Sequence, residues 1–121
     1  MPRPILDESR IHAAARERIA THYRETLQEV QDAIAGHAVV VVGMRQNPYP
    51  RKARKALAAA GIAHHFLEYG SYLSDWRRRN ALKMWSGWPT MPMVFVKGAL
   101  VGGADDLVRL IDSGELQRML A

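Results

Sequence analysis

A run of β-branched residues followed by a strong helix start constrains the fold of this chain more than any other feature. Residues 38–42 read Ala-Val-Val-Val-Val, which is typical of a buried strand. Asn47 can then cap a helix by accepting a hydrogen bond from an early backbone N–H, and Pro48 suits the first helical position. Gly61 ends this helix, and residues 62–68 predict a second strand. A helix between two consecutive strands predicts a parallel pair with a right-handed crossover.

The C-terminal half adds a helix, a hairpin and a last pair of helical segments. Ser74 or Asp75 can cap a helix that ends near residue 86. Residues 93–96 and 99–101 predict two short antiparallel strands, because only a Lys-Gly pair separates them. The complete order predicts an α/β fold with a four-stranded mixed sheet flanked by helices.

Residues 5–35 show a helical pattern that precedes the first strand. Apolar residues recur there at spacings of three and four, a stripe that faces a core or a partner. The stripe consists of Ile11, Ala14, Ala15, Ile19, Tyr23, Leu27, Val30 and Ile34. Thr21 can break the pattern into two helices, but the sequence does not place the break. We therefore expect an N-terminal helical extension over residues 1–24 and one domain over residues 25–121.

The chain contains no cysteine, which excludes a disulfide, a thiolate metal site and a cysteine nucleophile. Its net charge is +5, and the basic residues concentrate in residues 45–55 and 77–83. These clusters are consistent with a solvated surface or with an anionic partner, either a small carboxylate ligand, an acidic protein or nucleic acid. The three tryptophans near them are more typical of packing than of base stacking, and no RNA-binding signature accompanies them, so nucleic acid is not the expected partner.

The histidines and the apolar runs exclude further classes of function. The five histidines show no metal-ligand spacing, so we expect no metal site. The longest apolar run, residues 38–42, is too short to span a membrane, and no targeting segment is visible. We therefore expect a cytoplasmic protein without a membrane partner.

Over roughly residues 25–120 the sequence resembles the glutaredoxin family. Residues 88–92, Trp-Pro-Thr-Met-Pro, are similar to the Trp-Pro-Thr-x-Pro segment of its monothiol class. Residues 95–105 resemble that class's strand–turn–strand and Gly-Gly-Cys-Asp segment, and residues 112–116 resemble its tail. Several spaced matches in the right order imply a thioredoxin fold and, by family, a role in redox homeostasis.

The segment that carries the family's active site departs from the family pattern. Residues 47–50, Asn-Pro-Tyr-Pro, stand where the family has Cys-Pro-Tyr-Cys or Cys-Gly-Phe-Ser, so Asn47 takes the place of the nucleophilic thiol. An amide keeps the cap but is no nucleophile, and it cannot ligate a bridging iron–sulfur cluster. The family's lysine before this cysteine falls on Met44, with Arg45 as a neighbouring substitute. The family's glutathione-dependent disulfide oxidoreductase activity therefore has no catalytic residue here, and no cofactor is required.

The resemblance also implies a groove for glutathione. In the family, the backbone beside a cis-proline pairs with the cysteinyl part of the peptide, which here gives Met91 with Pro92 cis. The γ-glutamyl end is held after the double glycine, by Ala104 and Asp105, and Arg79 matches a residue that meets the glycine carboxylate. The complete set implied by the resemblance is Asn47, Tyr49, Arg79, Thr90, Met91, Pro92, Gly103, Ala104 and Asp105.

Three functions are consistent with these residues. The first is a module that binds glutathione, or a protein partner in the same groove, without thiol chemistry. The second is a transferase-like enzyme in which the Tyr49 hydroxyl activates glutathione. The third is a self-associating interaction protein that uses its N-terminal stripe and keeps only a vestigial groove.

Overall fold

The β-branched run forms a central strand of a four-stranded mixed sheet, as predicted. The computed structural model describes residues 3–121. The strands are β1 (Val39–Gly43), β2 (His65–Glu68), β3 (Met93–Val96) and β4 (Ala99–Gly102). Their order in the sheet is β2-β1-β3-β4, and β1 pairs in parallel with β2 and antiparallel with β3. Strands β3 and β4 form the predicted hairpin.

Six α-helices and one short 3₁₀ helix complete the described chain. The 3₁₀ helix covers Glu8–Arg10. The α-helices are α1 (Ala13–Thr21), α2 (Arg24–Gly36), α3 (Pro48–Ala59), α4 (Trp76–Ser86), α5 (Ala104–Asp112) and α6 (Glu115–Leu120). None of the helices within residues 3–121 is both long enough and apolar enough to cross a lipid bilayer.

Alternate side chains of β1 divide the core into two layers, because successive residues of a strand point to opposite faces. Val40 and Val42 pack with Val30 of α2 and Leu82 of α4 on one face. On the other face, Val39 and Val41 pack against three helices. The contacting residues are Ala53 and Leu57 of α3, Leu107 of α5 and Leu116 of α6. Strand β1 begins and ends one residue later than the apolar run of residues 38–42 predicts, because Ala38 is exposed and unpaired in the sheet, whereas all five residues of Val39–Gly43 are buried.

The second strand is shorter than predicted. It begins at His65, where pairing with Val40 starts, instead of at residue 62. Ile62 is apolar for another reason, since its N–H donates to the carbonyl of Leu57 and its side chain packs against the α3 layer of the core. Residue 62 therefore belongs to the connection between α3 and β2.

The break in the N-terminal helical pattern lies at residues 22–23. Tyr23 has a left-handed backbone, with φ of 49°, which separates α1 from α2. Helix α2 buries Thr26, Val30 and Ala33, but α1 buries no residue, and Ile19 is 47% exposed. The N-terminal half of the predicted stripe is therefore not core. Residues 1 and 2 of the expected extension lie outside the described residues, and the division at residue 24 and the self-association hypothesis stay predictions.

Candidate functional site

The N-terminus of α3 carries the predicted cap. The backbone of Asn47 is extended, and its Oδ1 accepts a hydrogen bond of 2.9 Å from the Tyr49 N–H. Pro48 and Pro50 both lack an N–H, so this helix end offers fewer free donors than an ordinary one. Pro50 is buried against Gly43, where an added Cβ would stand 2.8 Å from the proline Cβ. The absence of a side chain at Gly43 therefore leaves room for the Pro50 ring at the end of β1.

The segment before β3 lies beside the N-terminus of α5. The Met91–Pro92 peptide bond is cis, and both residues are buried. A Cβ at Gly103 would stand 3.6 Å from the Pro92 carbonyl oxygen and 3.8 Å from Nε1 of Trp88. That indole Nε1 is buried without a hydrogen-bond partner among residues 3–121. Gly103 therefore packs against the Pro92 backbone and the Trp88 indole.

Acidic side chains organise the start of α5. The Gly103 N–H donates a hydrogen bond of 2.9 Å to Oδ2 of Asp106, which completes a cap. Asp105 accepts from the Nζ of Lys52 on α3 at 2.6 Å, and both side chains are about half exposed. This contact lowers the pKa of Asp105 and raises the pKa of Lys52. The ion pair therefore links α5 to α3 beside the cap of α3.

These three segments, together with α4, surround one cavity of about 560 Å³, which we call the groove. All nine residues that the sequence predicts for the site line it. Its other lining residues are Met44, Tyr72, Lys83, Trp88, Pro89 and Asp106. Lys83 is a groove residue that was not predicted from the sequence, although it lies four residues after Arg79 and so on the same face of α4. This spacing of four residues is the sequence signal that could have identified Lys83 as a groove residue.

Arg79 lines the groove but is mostly used by the fold. It is only 6% exposed, and its Nη1 donates to the carbonyl oxygens of Tyr69 at 2.8 Å and Ser74 at 2.6 Å. The Tyr69 hydroxyl in turn donates to Glu29 Oε1 at 2.5 Å, and burial together with Glu29 raises the pKa of Tyr69. Arg79 thereby anchors the loop between β2 and α4.

The substitute for the family's lysine lies elsewhere. Arg45 does not line the groove but a second cavity, on the β2 side of α3. Lys83 is the half-buried cation that the groove itself offers. Tyr49 lines the groove with 52% of its surface exposed, and its role as an activator of glutathione stays a prediction.

The charges that line the groove balance each other. Arg79 and Lys83 supply two positive charges, and Asp105 and Asp106 supply two negative ones. The cations lie on α4, whereas the carboxylates lie at the start of α5. A groove of this kind suits a ligand that carries both ammonium and carboxylate groups.

Comparison with known proteins agrees with this architecture. A sequence model described as Glutaredoxin matches residues 39–101. The glutaredoxin-like protein of Dictyostelium discoideum is 43% identical over 98 residues, which are 81% of this chain and 80% of that protein. Monothiol glutaredoxin-S11 of Oryza sativa subsp. japonica is 33% identical over 106 residues, but this chain covers only 21% of its length. The crystal structure of a buckwheat glutaredoxin–glutathione complex superposes with a TM-score of 0.71 at 25% identity, over 86% of this chain and 91% of that one.

Proposed function

The chain belongs to the glutaredoxin family, and from this premise we propose that it binds glutathione in the groove without thiol redox chemistry of its own. The observation that carries the proposal is that all nine residues implied by the resemblance line one cavity. The buckwheat relative is described as a complex with glutathione, which supports the same ligand here. Because the chain has no cysteine, it cannot form a mixed disulfide with the bound peptide.

The charge distribution supports the orientation of the ligand. Glutathione carries its ammonium group and one carboxylate on the γ-glutamyl residue and its other carboxylate on glycine, and the groove has carboxylates on α5 and cations on α4. Asp105 is the exposed acceptor for the γ-glutamyl ammonium, although Lys52 already contacts it. Lys83 is the better partner for the glycine carboxylate, since Nη1 of Arg79 already donates to two backbone carbonyls. The backbone of Met91 supplies the pairing edge for the cysteinyl part.

A titration followed by backbone amide NMR tests the proposal. We expect saturable shifts at Met91, Ala104 and Asp105 as reduced glutathione is added to about 10 mM, a concentration that detects millimolar affinity. S-methylglutathione should bind within about twofold of glutathione, because the proposal uses no thiol chemistry. The absence of saturable shifts with both ligands would overturn the proposal and favour a protein ligand or a vestigial groove.

A pair of charge variants makes the test specific. Lys83→Met should weaken glutathione binding about tenfold, the effect of losing one charge-assisted hydrogen bond of about 1.4 kcal/mol. Arg78→Met is the matched control, because Arg78 is exposed on the same helix and does not line the groove. Equal weakening by both variants would mean that the peptide senses only the net charge of the protein.

A further inference from the structure

A second cavity, of about 600 Å³, lies on the opposite side of the start of α3 from the groove. We call it the basic cavity. Its walls are the loop before α3, the outward face of α3 and the edge strand β2. Its basic and aromatic lining residues are Arg45, Arg51, Arg54, Lys55, His64 and Phe66. It shares only Met44 and Asn47 with the groove.

The basic cavity differs from the groove mainly in charge. Four cations and the single carboxylate of Glu68 line it, so the net charge of its lining is +3, whereas two cations and two carboxylates make the lining of the groove neutral. Three of the chain's five net positive charges are thus concentrated here. The ion pairs found within residues 3–121 are Lys52–Asp105 and Arg109–Asp106, and neither involves a cation of this cavity. An excess of positive over negative charge in one cavity attracts anions.

Arg54 is held in place before any ligand binds. Its Cζ lies 4.2 Å from the centroid of the Phe66 ring, and its Nε donates to Nε2 of His64 at 3.4 Å. Burial lowers the pKa of His64, and the charge of Arg54 adds to this shift, which favours the neutral imidazole that can accept that bond. The remaining nitrogens of the guanidinium form a planar fork that suits an oxyanion.

The other cations share one helix face. Arg54 and Lys55 lie three and four residues after Arg51 on α3, so the side chains of both are neighbours of the Arg51 side chain on the helix surface. Arg45 approaches from the loop, whose backbone is fixed by a 2.7 Å hydrogen bond from its N–H to the Gly70 carbonyl. The cations therefore line one cavity from two supports, helix α3 and the loop before it.

We propose that the basic cavity binds a small molecule with two phosphate groups. Each phosphate monoester carries about −1.5 to −2 charges near pH 7, so two of them match or slightly exceed the lining charge of +3. Three arginines favour phosphate over an ammonium-type or apolar ligand, because their forks bind its oxygens in pairs. Phe66 and Pro50 give the cavity an apolar part against which the organic portion of the ligand can pack.

Inorganic pyrophosphate is the probe for this site, at constant ionic strength of about 50 mM to limit screening. We expect saturable amide shifts at Arg45, Arg54 and His64, with Asn47 responding as well because it lines both cavities. Arg54→Gln should weaken binding about tenfold, and Lys55→Gln, an exposed substitution with little risk to folding, should weaken it several-fold. Arg78→Gln removes the same charge outside the cavity and should leave the affinity unchanged.

The remaining outcomes distinguish the proposal from its alternatives. Shifts that do not saturate, or that weaken equally in Arg78→Gln, would overturn the site. A poly-glutamate peptide or a single-stranded oligonucleotide that binds about tenfold more tightly than pyrophosphate would replace the small ligand by an acidic protein or a nucleic acid. The glutathione proposal is independent, because Lys83→Met should leave pyrophosphate binding intact and Arg54→Gln should leave glutathione binding intact.

Discussion

Asn47 keeps one of the two properties that a cysteine in its place would combine. It holds the start of α3 by accepting from Tyr49, so the local backbone does not need a thiol. It cannot attack a disulfide, since an amide is not a nucleophile under these conditions. The neighbouring Pro50 removes a further N–H that would stabilise an anion at this helix end. Chemistry and architecture are therefore separable at this one residue.

Arg79 is the residue whose substitution should reveal a structural role. Arg79→Met removes two charge-assisted hydrogen bonds and leaves the buried Tyr69 carbonyl without that donor, so we expect a loss of about 2–4 kcal/mol in the free energy of unfolding. Urea denaturation measures it. Arg78→Met, on the exposed neighbour, should change stability by less than about 0.5 kcal/mol. Comparable values for the two variants would mean that the two Arg79 hydrogen bonds contribute little to stability.

Asp105 offers a test of the contact between α3 and α5. Lys52 lowers the carboxyl pKa below its ordinary value of 3.8, so Lys52→Met should raise it, as measured by NMR of the Asp105 carboxyl carbon. Because the pKa of Asp105 is lower in the folded than in the unfolded protein, its ionised carboxylate stabilises the fold at pH values above the unfolded pKa. This stabilisation is lost as the pH falls through the folded pKa. A carboxyl pKa that does not move in Lys52→Met would mean that the pair is not formed in solution.

At the scale of secondary-structure elements, the sequence predicted correctly the features that depend on residues adjacent in the chain. The cap at Asn47, the Lys-Gly turn at residues 97–98 and the apolar run of β1 each depend on adjacent residues, and the structure confirms all three. The start of β2 depends on where pairing with its parallel partner β1 begins, which adjacent residues do not show, so Ile62 was wrongly included in the strand. The left-handed turn at Tyr23 carries no glycine to mark it, so the break between α1 and α2 was not located.

The N-terminal helix should contribute little to stability. Helix α1 buries no residue, so deletion of residues 1–22 should change the midpoint of thermal unfolding by less than about 4 °C, which corresponds to about 1 kcal/mol. Val30→Ala in α2 is the contrasting variant, because Val30 is completely buried and its truncation should cost about 2 kcal/mol. A large loss on deletion would mean that the extension is part of the domain.

At the scale of the whole molecule, the two cavities differ in how far sequence reasoning reached them. The resemblance supplied the groove because its motifs are read along the chain, at residues 47–50, 88–92 and 103–105. The basic cavity requires α3 and β2 to be placed side by side, which only the fold provides. The sequence showed the cluster of cations in residues 45–55, but it did not show that these cations lie on two sides of α3. Lys52 contacts Asp105 beside the groove, whereas Arg51 and Arg54 line the basic cavity.

The different charges of the two cavities predict salt responses of different size for the two ligands. Raising ionic strength from about 50 to 200 mM shortens the Debye length from roughly 14 to 7 Å, which weakens the attraction of a polyanion to a lining of +3. We expect the Kd for pyrophosphate to rise about tenfold over this range and the Kd for glutathione to change by less than about twofold, because the groove lining is neutral. Isothermal titration calorimetry at the two salt concentrations measures both. Parallel losses of affinity would mean that both ligands respond to the chain's overall charge of +5 and not to the separate linings of two cavities.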